Sequence, residues 1–525
     1  MKKLEYKWQV LMVVIFGSFM VILDSTIVNV TIPTFEKVFN TDVNGIQWIL
    51  TGYLLALGII TPVAGYLADN FGIKKVYLLS LGFFVIGSAL CGLSDLIRDS
   101  SGHPYIATLI FFRVLQGIGG GATVPLANAQ LFAAFPPEQR GLANGVFGVP
   151  LLVAPALGPT LGGYIAQYLH WSLIFYINVP IGIIGILMGL WLLKPSEIRK
   201  SRRFDALGFG AAAIGLGLLL YALSEAGNSS WTDPLVLVCF AVAAVFLAFF
   251  AYNELRREDT IVDLRLFKNV IFTLGCMVNW ATVIALFGSA FLLPLYLQNV
   301  RGQSPFEAGL MLLPQAVTAA MAVPFTGRLF DKIGPRPLVV TGLIVLTVTS
   351  FFFTRFTANT DLFMIEVVMA LRGFALGCTV QPSITTAISV MQRQAIPRGS
   401  SLINAARQVI QALGIAVLST VFTTQVAGVM GQGQANPAAV QQGFIAGFND
   451  AFIVVLVVAI VGVVVSFFLP GWPGKWPLKQ PGDPSRNQGQ EQGRTARPPG
   501  GQPGNQLSGQ PSGQPSGQPS KETNS

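Results

Sequence analysis

Four ionisable side chains, Asp24, Arg113, Glu366 and Arg372, interrupt long apolar runs of the chain. A carboxylate at the centre of a membrane span costs about 2.5–3.5 kcal/mol on insertion scales, so Asp24 is expected to face a cavity or a partner. Burial disfavours the charged form and a nearby cation favours it, so a helix movement that changes either can load and release a proton there. A structural carboxylate satisfied within the bundle is the plainer alternative. Arg113 keeps its proton at physiological pH, so its role is electrostatic, or structural if it only bonds backbone carbonyls. Glu366 and Arg372 are six residues apart, nearly on opposite sides of a helix, and so need separate partners. Together they are a candidate second proton or substrate site. Arg407 lies near one end of its run, where it can snorkel, and is left out of the core site.

Other chemistry is missing. No G-x-x-x-x-G-K-[ST] is present, and the two histidines, His103 and His170, make no H-E-x-x-H pair. The G-x-G-x-x-A at Gly208, Gly210 and Ala213 lies inside an apolar run with no preceding strand, which reads as helix packing. The four cysteines, Cys91, Cys239, Cys276 and Cys378, sit in apolar runs without C-x-x-C spacing and read as core filler. We therefore expect no catalytic residues, no metal and no cofactor.

The elements that must position the charged residues follow from composition. Hydrophobic residues make up 52% of the 525 and charged ones 11%, with a mean hydropathy of +0.61, values of a chain built for lipid. Apolar runs recur at 10–33, 46–68, 76–96, 105–127, 141–167, 171–193, 206–225, 234–252, 271–297, 306–330, 337–356, 362–390, 401–425 and 444–469. Lipid cannot satisfy backbone polar groups and no barrel-type alternation is present, so the expected fold is all-α with fourteen transmembrane helices. The first run follows Lys2, Lys3 and Lys7 but is long, carries Asp24 and lacks a small-residue cleavage site, so it is read as a retained helix. Placing the N-terminus inside puts 26 of the 33 Lys and Arg on the cytoplasmic side. Lys37, Arg98, Arg301 and Arg355 fall outside, and Arg113, Arg372 and Arg407 within spans. The positive-inside rule favours that orientation and an even number of spans. The net charge of +9 is thus spread over short loops and gives no reason to expect nucleic acid. From about Gly471 the chain turns to Gly, Pro, Gln and Ser, expected to be a disordered cytoplasmic tail.

An internal repeat organises the spans. Gly65-Tyr-Leu-Ala-Asp69-Asn-Phe-Gly72-Ile-Lys74 returns as Gly327-Arg-Leu-Phe-Asp331-Lys-Ile-Gly334-Pro-Arg336, with Gly, Asp, Gly and a cation at matching offsets between two spans. The glycines permit close approach and a sharp loop, while the Asp and the cation can interact with helix ends and with each other. Such a loop reads as a gate latch. The expected organisation is two parallel six-helix repeats, 1–195 and 269–470, with a two-helix insertion at 196–268 and a tail at 471–525.

At these residues the chain resembles the Major Facilitator Superfamily, whose signature loop between helices 2 and 3 has this pattern. Leu23-Asp24-Ser-Thr-Ile-Val-Asn29-Val-Thr-Ile-Pro33 is similar to the helix 1 motif of the fourteen-span drug:proton antiporters of the EmrB/QacA type. Arg113-Val-Leu-Gln116-Gly117-Ile-Gly-Gly-Gly121 resembles the proton-linked arginine motif of helix 4. The helix 5 segment Gly145-Val-Phe-Gly148-Val-Pro150, followed by Pro155, Gly158, Pro159, Gly162 and Gly163, resembles the antiporter motif. Leu293-Pro294-Leu-Tyr-Leu-Gln298, with Ser304-Pro305 and Ala308-Gly309, is similar to the second half of that group. The resemblance implies that Asp24 and Arg113 lie close together and pair in one state of a proton cycle. It also implies that the helix 5 glycines and prolines form a hinge and that the Asp69 and Asp331 loops latch the cytoplasmic gate. Asn29, Trp48, Tyr53, Gln116, Tyr296 and Gln298 are candidates for the substrate cavity. The expected function is proton-driven export of hydrophobic compounds, lipophilic cations included, across a bacterial inner membrane, with both termini cytoplasmic. Lipid, protons and small hydrophobic substrates are the expected partners, and the need for a periplasmic adaptor stays open. Export of an endogenous metabolite or lipid is the alternative; a non-transporting receptor on the same fold is a more distant one.

Overall fold

A computed structural model describes residues 5–40, 43–98, 104–195, 205–228, 230–256, 262–392, 395–430 and 437–471. Among the described residues fourteen helices are long and apolar enough to cross a membrane. They are α1 (Tyr6–Ile27), α2 (Trp48–Phe71), α3 (Ile73–Leu96), α4 (Ile106–Ala134), α5 (Arg140–Tyr168), α6 (Leu173–Leu192), α7 (Ala206–Ala226), α8 (Pro234–Arg256), α9 (Val270–Asn299), α10 (Phe306–Ile333), α11 (Pro335–Phe353), α12 (Leu362–Ser389), α13 (Ile396–Gly428) and α14 (Ala439–Ser466). The number and order are those the apolar runs predict, and the protein is all-α and multi-pass. The expected tail lies outside the described residues.

Proline marks the local breaks. Pro62 has no N–H to give, and α2 opens into a turn at Thr61–Val63, where Val63 donates instead to the Ile60 carbonyl at 3.1 Å. Pro150, Pro155 and Pro159 stay within a continuous α5. That helix keeps its neighbours close through glycine: a Cβ on Gly162 would lie 2.5 Å from the Ile27 carbonyl oxygen of α1. Gly72 and Gly334, the second glycines of the repeated loop, have φ of +88° and +82°. With ψ of 136° and 179°, the two turns need a positive-φ, extended-ψ backbone region that is essentially confined to glycine and costs other residues about 1–3 kcal/mol.

One buried core is built from residues of α1 to α6, including Val14, Leu23, Tyr77, Phe84, Leu126 and Phe147. A larger one is drawn mainly from α9 to α14, including Phe272, Leu293, Leu343, Met369, Leu376 and Phe452. α7 pairs with α8 and also packs against both α2 and α13. Trp48 of α2 stacks on Tyr221 of α7 at 5.7 Å, and Trp231, in the turn between α7 and α8, donates to Thr420 of α13 at 2.7 Å. The α7–α8 pair therefore touches both sets of six spans.

Candidate functional site

Asp24 and Arg113 meet in the interior of the first six spans, both fully buried, with Nη1 donating to Oδ2 at 2.6 Å. The carboxylate accepts two further bonds on Oδ1, from Gln116 Nε2 at 2.9 Å and Asn178 Nδ2 at 2.8 Å. Ser88 of α3 ties these amides together, accepting from Gln116 and from Asn178 at 3.1 Å each, and donates its own proton to the Phe175 carbonyl at 2.8 Å. Arg113 also donates to Gln116 Oε1 at 2.7 Å and to the Ile49 carbonyl at 3.3 Å. Its guanidinium lies over the Tyr53 ring, 4.1 Å from the centroid. Five spans, α1, α2, α3, α4 and α6, thus contribute to one buried polar cluster. Glycine lets them converge, since a Cβ on Gly87 or Gly117 would strike the backbone of α4 or α2 at 2.7 or 2.5 Å.

The repeated loops sit at the end of the bundle where the chain starts and join the two sets of spans. Asp69 accepts from Arg398 Nε at 2.9 Å and Nη2 at 2.6 Å, near the start of α13. Asp331 accepts from the backbone N–H groups of Gly141 and Leu142 at 3.0 Å each, where the first turn of α5 leaves donors free. The first glycine of each copy permits the crossing. A Cβ on Gly65 would lie 2.9 Å from the Arg398 Cα, and one on Gly327 would lie 2.5 Å from the Gly141 carbonyl. The cations point the other way. Lys74 donates to the carbonyls of Leu190 and Leu193 at the end of α6, and Arg336 donates to Leu469 just past α14 at 2.7 Å. Contact of the Asp and the cation with helix ends is thus observed. Contact with each other is not, because each cation caps the sixth span of its own set while each Asp reaches across to the other set.

Further bonds between the sets lie near this end. Gly65 N donates to Ser401 at 3.0 Å, Gln408 to Thr61 at 3.0 Å, Asn144 to Thr385 at 2.7 Å and Ser400 to the Pro125 carbonyl at 3.0 Å.

Residues 14–415 match the model of the Major Facilitator Superfamily. The chain belongs to that superfamily. Among its relatives are the multidrug export protein EmrB of Escherichia coli K12, 34% identical over 78% of this chain and 79% of that one, and the lincomycin resistance protein LmrB of Listeria monocytogenes, 32% identical over 84% and 92%. An uncharacterized MFS-type transporter, YhcA of Bacillus subtilis, is 34% identical over 81% and 78%. The fold is that of the proton:xylose symporter XylE, with a TM-score of 0.60 over 89% of this chain and 96% of that one at 16% identity.

In this Major Facilitator chain the other candidate residues are dispersed. Arg372 is fully buried, donating to Ser350 at 3.1 Å and to the Ala285 carbonyl at 2.7 Å, with Phe353 and Phe452 against it and no hydrogen-bond partner for Nε among the described residues. Ser350 follows Ser88 by the interval that separates Asp331 from Asp69, so α11 and α12 repeat the serine and the arginine of the first cluster without its acid. Glu366 is half-buried and does not meet Arg372. Of the cavity candidates, Tyr53 and Gln116 belong to the ion-pair cluster. Trp48 packs on α7, as described above. Tyr296 is a core aromatic bonded to the Thr357 carbonyl at 2.6 Å, and Gln298 is half-buried near the end of α9. The side chain of Asn29 lies outside the described residues.

Sequence reading missed Asn178, Ser88 and Arg398. Asn178 had a usable signal, a lone amide in an apolar run. Arg398 had none, since its partner lies 329 residues away.

Breaking a buried ion pair from one side leaves an uncompensated charge, at a cost of about 3–5 kcal/mol. Asp24→Asn is therefore expected to lower the thermal unfolding temperature of the purified protein markedly, and Asp24→Asn combined with Arg113→Gln to recover most of the loss. Equal destabilisation in the single and double variants would contradict the pairing energetics.

Proposed function

We propose that this protein is a secondary antiporter that exports hydrophobic compounds across a bacterial inner membrane in exchange for protons. The observation that carries the proposal is the sealed Asp24 carboxylate, held by Arg113, Gln116 and Asn178. A proton and these three donors compete for the same two oxygens. Protonating Asp24 removes the charge that holds Arg113, so α1 is freed to shift against α4 and α6; conversely, re-forming the pair expels the proton. Arg113 stays charged throughout and sets the competition. Multidrug export and lincomycin resistance in the names of the relatives support export as the direction and drugs as substrates.

The N-terminal end is assigned to the cytoplasm, by the distribution of Lys and Arg. The loop contacts and the bonds around Thr61, Asn144 and Ser400 then make a closed cytoplasmic gate, with α5 and α13 as the elements that release when it opens. The glycines and prolines of α5 supply the hinge in this reading. Asp69 and Asp331 latch the gate in two chemically different ways, one through a side-chain ion pair and one through a helix N-terminus.

Two measurements test this reading. In proteoliposomes under an imposed proton gradient, wild type should accumulate at least one of lincomycin, tetraphenylphosphonium and tetraphenylborate, and Asp24→Asn at matched folded level should accumulate none. Uphill transport that survives in Asp24→Asn would remove Asp24 from the coupling step. For the gate, a cysteine introduced at Asn144 should label faster with a membrane-impermeant maleimide applied at the N-terminal face once Asp69→Ala and Asp331→Ala are combined. Unchanged labelling would mean that these contacts do not hold the gate.

A further inference from the structure

The carboxylate of Asp24 faces away from the interface between the two sets of spans. Hydrogen bonds across that interface involve α2, α4 and α5 of the first set, at Gly65, Thr61, Pro125 and Asn144. Beyond its partners on α4, Asp24 meets Asn178 of α6 and, through it, Ser88 of α3. These two spans pack on α1, α4 and each other. The rear of the Asp24 cluster, behind α1 and α4, is therefore built by α3 and α6.

Two stripes lead outward from it. Ser88, Cys91 and Asp95 stand three and four residues apart, so they share one face of α3 over about 10 Å. Asn178, Phe175 and Trp171 have the same spacing on α6 and the turn before it. At the inner end Asn178 donates to Ser88 at 3.1 Å. Midway the helices touch, since a Cβ on Gly92 would lie 2.6 Å from the Tyr176 ring. At the outer end Asp95 and His170 face each other, with Oδ2 and Nε2 3.8 Å apart. Cys91, Phe175 and Trp171 are buried between the ends. Asn178 Oδ1, also buried, has no hydrogen-bond donor among the described residues, so it can accept from an arriving water.

The outer end opens to solvent. A pocket of about 360 Å³ is lined there by residues that include Thr34, Val38, Asp95, Arg98, His170 and Trp171. The side chains of His170 and Asp95 are 56% and 21% exposed. Arg98 lies 3.6 Å from the same carboxylate, and among the described residues of the pocket Asp95, Arg98 and His170 are the charged or titratable ones. Nδ1 of His170 accepts from the Ser172 N–H at 3.4 Å, which leaves the ring proton on Nε2, the nitrogen directed at Asp95. Phe35, on the short outer helix Ile32–Phe39, packs on Trp171 and Phe175 with centroids 5.6 and 6.4 Å away. The Phe175 ring in turn lies 5.6 Å from the Arg113 guanidinium, so these aromatics stand between the pocket and the buried ion pair. A hydrated carboxylate beside an imidazole is suited to collecting and passing protons near neutral pH.

We propose that Asp95 and His170 collect protons at the outer face and pass them to Asp24 between α3 and α6, apart from the interface between the two sets. A proton taken from water by Asp95 or His170 moves inward, an O–H bond forms on Asp24 as its contact with Arg113 breaks, and the outer groups return to their starting charge. This inference rests on the antiporter reading above and adds the residues by which the proton arrives.

The test uses the full-length protein in proteoliposomes under an imposed proton gradient, with lincomycin, tetraphenylphosphonium and tetraphenylborate as probes. Asp95→Asn combined with His170→Gln should lower the initial rate of accumulation at least about tenfold. The final accumulation should approach that of wild type, because Asp24 still carries the proton. Acidifying the solution at the outer face should restore the rate of the double variant, Asp95→Glu should keep the wild-type rate, and probe binding should not change. A wild-type rate in the double variant overturns the inference and leaves the antiporter reading standing. Slowing that acid does not relieve, or that comes with weakened probe binding, assigns the pair a structural role and overturns the inference as well. If wild type accumulates none of the probes, the antiporter reading falls and the inference with it.

Discussion

A carboxylate and a guanidinium fully removed from solvent and 2.6 Å apart place a constraint on every helix around them. Neither can lose its partner without leaving a charge in a medium that does not solvate it, and the remaining lone pairs of Asp24 must also be met. Gln116 and Asn178 meet them and Ser88 accepts from both amides, which fixes α3, α4 and α6 relative to α1. The close approach of the helices follows from that requirement, because side chains as short as Asp, Asn and Ser reach one another only where glycine brings the backbones together. An arrangement this dependent on one negative charge changes when a proton cancels it, and in the proposed function that is the physical link between a proton and a helix movement.

The repeat keeps some of this chemistry and discards the rest. Both loop copies use the first glycine for a helix crossing, the Asp to hold the start of a fifth span in the other set, the second glycine for a left-handed turn and the cation to cap a sixth span. Arg372 with Ser350 likewise repeats Arg113 with Ser88, but Ala285 offers only a carbonyl where the first set offers a carboxylate. The two sets therefore differ: the first six spans hold a charge-balanced buried pair, whereas the matching arginine of the last six, Arg372, meets a serine and a carbonyl.

Much of this was legible in the sequence, for reasons that differ by feature. The fourteen spans were readable because lipid imposes length and apolarity on every one of them. Asp24 and Arg113 stood out because charge in such a run is costly, yet their contact was implied only by the family resemblance and not by spacing, since 89 residues and three loops separate them. The loop pattern announced itself by repetition. Its partners did not, because Arg398 and the backbone of Gly141 and Leu142 carry no local signature of a contact across the bundle. Aromatic type was a poor guide to position: Tyr53 and Tyr296 were both candidates for a cavity, and both are buried, one under a guanidinium and one in a cluster with Phe356 and Phe448.

The competition between a proton and Arg113 for Asp24 is tested most directly by counting protons. A compound already established as a transported substrate is added to the purified protein in weakly buffered solution, and the change in pH is followed with an indicator dye. The account predicts a proton exchanged on binding by wild type and none by Asp24→Asn that still binds the compound. Proton exchange of unchanged size in Asp24→Asn would place the coupling elsewhere and contradict the account.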